Sequence, residues 1–346
     1  MFERNLKFYR LKKNMTKKEL AQKVGVTPMA ITNYESGKRR PDMSTITKLA
    51  DVLGVYVSDF LAMRNSELRF SHHEFRKNTS LTKMQEEKVT ESVEEYLSRF
   101  FDAVECLGGS PLPPPFECHT VSPSEDYEAD AILLRKAVGI REKGPVGDLF
   151  SILEYCGIIV FEIDIDSGNF SGMNGMVNDY PYIVVNGNIT PERKRTTILN
   201  ELAHMVFSWS EGDEKAIEKK ATAAAGAALI TREDLFCELG PRRSTLTKDM
   251  AVVAEKYGIS MYLLVKRARQ AGIITDSLEK EFYIIANSAG WRKNEPRRVL
   301  ADYRPHLLEW LVLRAVNEGE INIVRGSELL AVTVPEMRKY CGPLEV

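Results

Sequence analysis

Between Thr16 and Arg40 the chain carries helix start and stop signals so closely spaced that only short helices fit between them. Thr16 has Glu19 three residues on, the spacing of a reciprocal cap. Gly25 ends the apolar run Leu20, Ala21 and Val24, and Thr27-Pro28 opens the next helix with an N-cap and a proline at the first helical position, where its missing N–H costs nothing. That helix runs through Ile31 and Tyr34 to Gly37. A stripe of Leu6, Tyr9 and Leu11 precedes the pair, and Ile46, Leu49, Ala50 and Leu53 follow it, with a fifth short helix starting near Ser58. The spacing predicts five short helices over residues 5–61.

Charge separates this segment from the rest. Residues 1–61 hold twelve Lys/Arg against six Asp/Glu, whereas the whole chain carries a net charge of -2. A basic module on an acidic body points to an anionic partner, with nucleic acid the first candidate. The five cysteines (106, 118, 156, 237 and 341) are scattered and never form a C-x-x-C pair, as expected of reduced thiols in a cytoplasmic protein. No apolar run reaches the roughly 18–20 residues of a membrane span, and no apolar signal segment opens the chain.

The string T-K-K-E-L-A-Q-K-V-G-V-T-P-M-A-I-T-N-Y-E-S-G-K-R-R-P resembles the Cro/C1-type (XRE) helix-turn-helix family. The resemblance implies a lambda-repressor-like domain whose helix from Pro28 enters the major groove of duplex DNA. It places Pro28, Met29, Thr32 and Asn33 at base edges and Lys17, Gln22, Thr27, Lys38, Arg39 and Arg40 at phosphates. A single module of this size binds weakly, so a homodimer on a two-fold operator is expected.

Residues 62–80 are polar and without strong periodicity, and the adjacent His72 and His73 read as surface residues. From Leu81 to Leu107 apolar residues recur at helical spacing, with Thr82 and Gln85 as a capping box. Gly108 to Pro111 stop this helix, and Pro113 to Pro115 form a stiff extended spacer. Helices follow over 129–134 and 147–155, then a β-rich run from Ile158 to Ile163. Gly168 to Gly175 reads as a turn, and Tyr182 to Val185 as a second strand. Pro191-Glu192 opens the helix that holds Asn200-Glu201-Leu202-Ala203-His204.

That pentapeptide looks like H-E-x-x-H with asparagine in place of the first histidine. In the intact motif two imidazoles one helical turn apart grip zinc, and the glutamate activates the metal-bound water. With A-x-x-L-R-K-A-V-G-I at 131–140 and V-V-A-E-K-Y-G-I-S at 252–260, residues 125–275 resemble the ImmA/IrrE-type metallopeptidase family. The resemblance implies a third ligand directly before Ala221-Thr222-Ala223-Ala224, where this chain has Lys220. Two of three ligands, at Asn200 and Lys220, are then replaced, and no cofactor is expected. Glu201 and His204 become remnants, and Lys220 is expected to pair with Glu201 where the metal would sit. Glu218, Glu214 and Asp213 are the carboxylates able to substitute.

Beyond residue 275 the chain reads as helical. The two short patterns over Ile321 to Tyr340, joined near Thr333, have the outline of a second helix-turn-helix. Their only cations are Arg325, Arg338 and Lys339, which favours packing or oligomerisation. The expected architecture is mainly α: a five-helix helix-turn-helix domain (1–62), a connector with a long helix (63–110), an α+β zincin-like domain (111–275) and a helical C-terminal region (276–346). The expected function is sequence-specific transcriptional regulation, with the peptidase-like body sensing a signal or binding a partner such as a toxin or another regulator. A zinc-dependent endopeptidase that cleaves a repressor is the competing reading.

Overall fold

The caps foreseen in the N-terminal segment all form. A computed structural model describes residues 1–65, 67–72, 81–108, 111–209, 212–291, 295 and 303–342. Helix α1 (Phe2–Lys12) is followed by α2 (Lys17–Val24), α3 (Pro28–Glu35) and α4 (Met43–Leu53). The fifth element is a single 3-10 turn, Val57–Leu61, rather than an α-helix. Thr16 and Glu19 cap reciprocally, and Thr27 Oγ1 accepts from the Ala30 N–H at 3.1 Å. Leu6, Leu20, Ala21, Val24, Ile31, Leu49, Leu53 and Phe60 form one small core. A second bond network pins it: the Arg10 guanidinium grips both Glu35 oxygens, and its Nη1 donates to Met15 O at 2.9 Å.

Strand β1 (Phe70–His72) and helix α5 (Lys83–Cys106) come next, then α6 (Tyr127–Ala137), α7 (Leu149–Tyr155) and β2 (Ile159–Ile163). Strands β3 (Gly172–Val177) and β4 (Tyr180–Asn186) complete a four-stranded sheet in the order β1-β3-β4-β2, antiparallel except for the β2–β4 pair. The sequence reading missed β1 and took part of β3 for a turn. The His73 reading lies outside the described residues, as does the side chain of His72.

The sheet separates two cores because side chains alternate between its faces. Ile159, Phe161, Tyr182 and Val184 face one core, with α5. Val160, Ile183 and Val185 face the other, with α8 (Pro191–Val206), α9 (Glu214–Leu229), α10 (Arg232–Leu239), α11 (Asp249–Tyr257), α12 (Met261–Gln270) and α13 (Asp276–Ser288). Tyr96 of α5 stacks flat on Phe161 of β2, ring centroids 4.1 Å apart. Helices α14 (Leu307–Asn317), α15 (Ile323–Leu330) and α16 (Val334–Tyr340) join the α5 side.

The helix-turn-helix module is seated on α5 by charge. Lys7 Nζ and Arg64 Nη1 take opposite oxygens of Glu91, at 3.0 and 3.2 Å, and Arg4 pairs with Glu94. Lys88 Nζ donates to Asn14 Oδ1 at 2.8 Å. Asn5 Nδ2 donates to the carbonyls of Phe60 and Ala62, which ties the end of the module back to α1.

Candidate functional site

Two surfaces carry the chemistry expected from the sequence. On the first, the N-terminal end of α3 stands clear of the body. Thr27, Pro28 and Met29 are exposed, Met29 by 66% of its surface. Thr32 and Asn33 are half-buried one turn on, and the Thr32 hydroxyl donates to Pro28 O at 3.1 Å. Gln22 on α2 and Lys38, Arg39 and Arg40 after α3 are exposed beside it. Lys17 is partly engaged, its Nζ lying 3.6 Å from Glu35 Oε2. The sequence reading missed Arg10 and Glu35, each with a side chain only 3% exposed. They hold α1 against α3 and so set the pose of the exposed face. An arginine in an amphipathic first helix has no signature that marks it as buried.

The second surface is the motif helix. Asn200 and His204 lie one turn apart on α8, as the spacing requires, and a carboxylate from α9 meets both. It belongs to Glu218: Oε1 accepts from Asn200 Nδ2 at 3.1 Å and from Thr222 Oγ1 at 3.3 Å, while Oε2 lies 3.2 Å from His204 Nε2. Lys220 does not reach the site. Its Nζ pairs with the exposed Glu125 at 2.9 Å, so the expected Lys220–Glu201 ion pair does not form. The reason is helical register, since two residues on α9 turn a side chain by about 200°. Glu201 is buried and accepts from Asn174 Nδ2 of β3 at 2.7 Å. Asp213 caps α9 and Glu214 sits in its exposed first turn.

A zinc ion suited to hydrolysis needs three protein donors from Cys, His, Asp or Glu, with a fourth position for water. Here the geometry supplies His204 and Glu218, with an amide as the third group. Asn200 already spends its N–H on Glu218, and its Oδ1 is buried without a hydrogen-bond partner. A neutral amide oxygen is a poor replacement for an imidazole on this borderline-soft ion. The donor set does not fit a catalytic zinc centre. What the three side chains make instead is a polar bridge between α8 and α9.

Comparison with known proteins separates the same two parts. A helix-turn-helix family model matches residues 6–60, and a model for the IrrE N-terminal-like domain matches 153–269. An uncharacterised HTH-type transcriptional regulator of Methanocaldococcus jannaschii is 36% identical over 62 residues, covering 94% of that protein and 18% of this chain. The chain belongs to the helix-turn-helix family. Two Bacillus subtilis relatives are similar over the same length scale. YqaE, an uncharacterised HTH-type transcriptional regulator, is 37% identical over 70 residues, and YonR, an SPbeta prophage-derived one, is 41% identical over 61. The alignments span 60% and 56% of those two proteins and no more than a fifth of this chain.

In this helix-turn-helix protein the IrrE-like part is the α+β body, and the match takes in β2 through α12 with the motif helix at its centre. Among the described residues no helix is long and apolar enough to cross a membrane.

Proposed function

We propose that this protein is a sequence-specific DNA-binding transcriptional regulator whose IrrE-like body senses a signal or holds a protein partner. The observation that carries the reading is the exposed start of α3, flanked by Gln22 and by Lys38 to Arg40. A helix presented in this way reads base edges while neighbouring cations neutralise phosphates. The relatives named as transcriptional regulators share this part of the chain. The reading includes a homodimer on a two-fold operator with half-sites about one helical turn apart. Autoregulation, as by an antitoxin or a prophage regulator, is its most specific form.

The test is duplex binding at several salt concentrations. A Lys38/Arg39/Arg40 triple alanine variant is expected to lose affinity and to flatten the salt dependence, because three fewer counterions are released. Undiminished binding by that variant at physiological salt would refute the assignment.

The enzymatic reading, a zinc endopeptidase acting on a repressor, draws on Glu201 and on the Glu218 carboxylate beside His204. Metal content together with a Glu201→Gln comparison separates it from the regulator reading.

A further inference from the structure

The last two described helices repeat the geometry of the N-terminal pair position by position. In the first motif Ala21 is buried in α2 and Gly25 turns the chain at φ 79. The Val26 N–H returns to Ala21 O at 3.0 Å, Thr27 caps α3, and Ile31 is buried four residues later. At the same spacing Ser327 is buried in α15 and Ala331 turns the chain at φ 53. The Val332 N–H returns to Ser327 O at 3.0 Å, Thr333 caps α16 through the Glu336 N–H, and Met337 is buried. Ala331 holds a left-handed backbone that an alanine adopts only at a cost in free energy, so the turn is imposed by the packing of the helices around it. Gly326 marks how close that packing is. A Cβ there would lie 2.7 Å from Met337 Cε and 2.9 Å from Val316 Cγ2.

The correspondence sets Arg338 and Lys339 at the positions of Thr32 and Asn33. Both are exposed, and neither forms an ion pair among the described residues. The other cations of this region are spent: Arg325 on Asp102 and Glu328, and Arg314 on Glu318. The Glu336 carboxylate, which would repel a phosphate, is occupied by the Thr333 N–H and hydroxyl. Part of the segment packs: α15 seats on α5, where Arg99 Nη1 donates to Leu329 O at 2.6 Å and Arg325 meets Asp102, and α16 buries Met337 in the same core. The other face of α16, with Arg338 and Lys339, is exposed. Glu91, which holds the N-terminal module, and Asp102 are both on α5, about 16 Å apart along its axis.

We propose that α15 and α16 form a second helix-turn-helix that holds duplex DNA through Arg338 and Lys339, lengthening the contact made by α3. The proposal rests on the DNA-binding reading above, and the experiment keeps the two apart. A duplex is selected from a random pool by the full-length chain and then cut to about 20 bp around the protected centre, with the longer parent of about 40 bp kept for comparison. Binding is followed by fluorescence anisotropy across salt.

The wild type is expected to prefer the longer duplex by on the order of tenfold. An Arg338→Ala/Lys339→Ala variant should bind both lengths alike, with the salt slope on the longer one lower by about two. The charge-keeping swap Arg338→Lys/Lys339→Arg should restore the preference, which distinguishes lost contact from lost folding. A wild type indifferent to length, or an alanine variant that keeps the preference and slope, overturns the second motif while short-duplex binding still stands or falls with Lys38 to Arg40. A wild type that binds neither duplex overturns both readings. Should α16 serve a protein partner instead, the length preference would be absent.

Discussion

The Glu218 carboxylate lies 3.2 Å from His204 Nε2 and 3.1 Å from Asn200 Nδ2, so three side chains from α8 and α9 close on one another. Restoring the imidazole should reverse this. Asn200→His would set two imidazoles and a carboxylate around one point and is expected to bind one zinc per chain, whereas the wild type retains none after dialysis. Element analysis reads the stoichiometry. Zinc at a hundredfold excess over Kd should stabilise the variant by about 2.7 kcal/mol, visible as a thermal shift. Stoichiometric zinc in the wild type would contradict the donor argument.

Glu91 holds Lys7 and Arg64 at once, and its side chain is only 11% exposed. Glu91→Ala should cost about 2 kcal/mol through the loss of charge-assisted bonds. The loss should show as an earlier unfolding transition for the N-terminal module in urea and as faster proteolysis around Leu61, which is exposed. An unchanged transition would mean that Arg4–Glu94 and the Asn14 contacts suffice for seating.

Glu154 of α7 accepts from the Leu307 N–H at 3.4 Å, at the start of α14, which has no side-chain cap of its own. Burial pushes its carboxyl up from the usual value near 4.5 to about 7, against smaller opposing hydrogen bonds from the backbone. A carboxyl raised on folding binds its proton more tightly in the folded chain. The stability this group contributes is therefore full below about 4.5 and is lost as pH rises towards 7, by on the order of 2 kcal/mol. Chemical denaturation at pH 4.5, 6 and 7.5 should show this slope in the wild type and its loss in Glu154→Gln. Equal slopes in both proteins would remove Glu154 as the source.

Gly157 turns the chain between α7 and β2 at φ 81, and a Cβ there would lie 2.0 Å from the Pro114 carbonyl oxygen. Gly157→Ala combines left-handed strain with a backbone clash and should destabilise by about 3 kcal/mol or more. The proline spacer would have to move, so the variant should unfold at lower urea. A variant with wild-type stability would show that the spacer is free to shift.

Elements bounded by caps were legible in the sequence. Thr16, Thr27 and Thr82 all cap where their spacing foretold, because a cap is a local interaction between residues three apart. Strand β3 was not legible. Its Gly172 and Gly175 are turn residues by habit, yet here they admit Thr197 and the Tyr182 ring against the backbone, a tertiary demand that leaves no local trace. The motif helix was found from Glu201 and His204, with Asn200 as the departure from the pattern. Its third member was misplaced by two residues, because a resemblance aligned on small residues does not decide whether position 218 or 220 faces α8. Glu218 was among the carboxylates able to serve, and the structure singles it out.

Helix α5 touches every part of the molecule described above. Its charged side holds the helix-turn-helix at Glu91 and the C-terminal helices at Asp102, and its Tyr96 lies on the sheet whose far face packs against α8. Any coupling carried through such a shared support is reciprocal by thermodynamic linkage. If a partner bound on the α8 side changes operator affinity by some factor, the operator must change that partner's affinity by the same factor. The occupancy of DNA would then set how readily the body releases what it holds, so a regulator built this way reports in both directions.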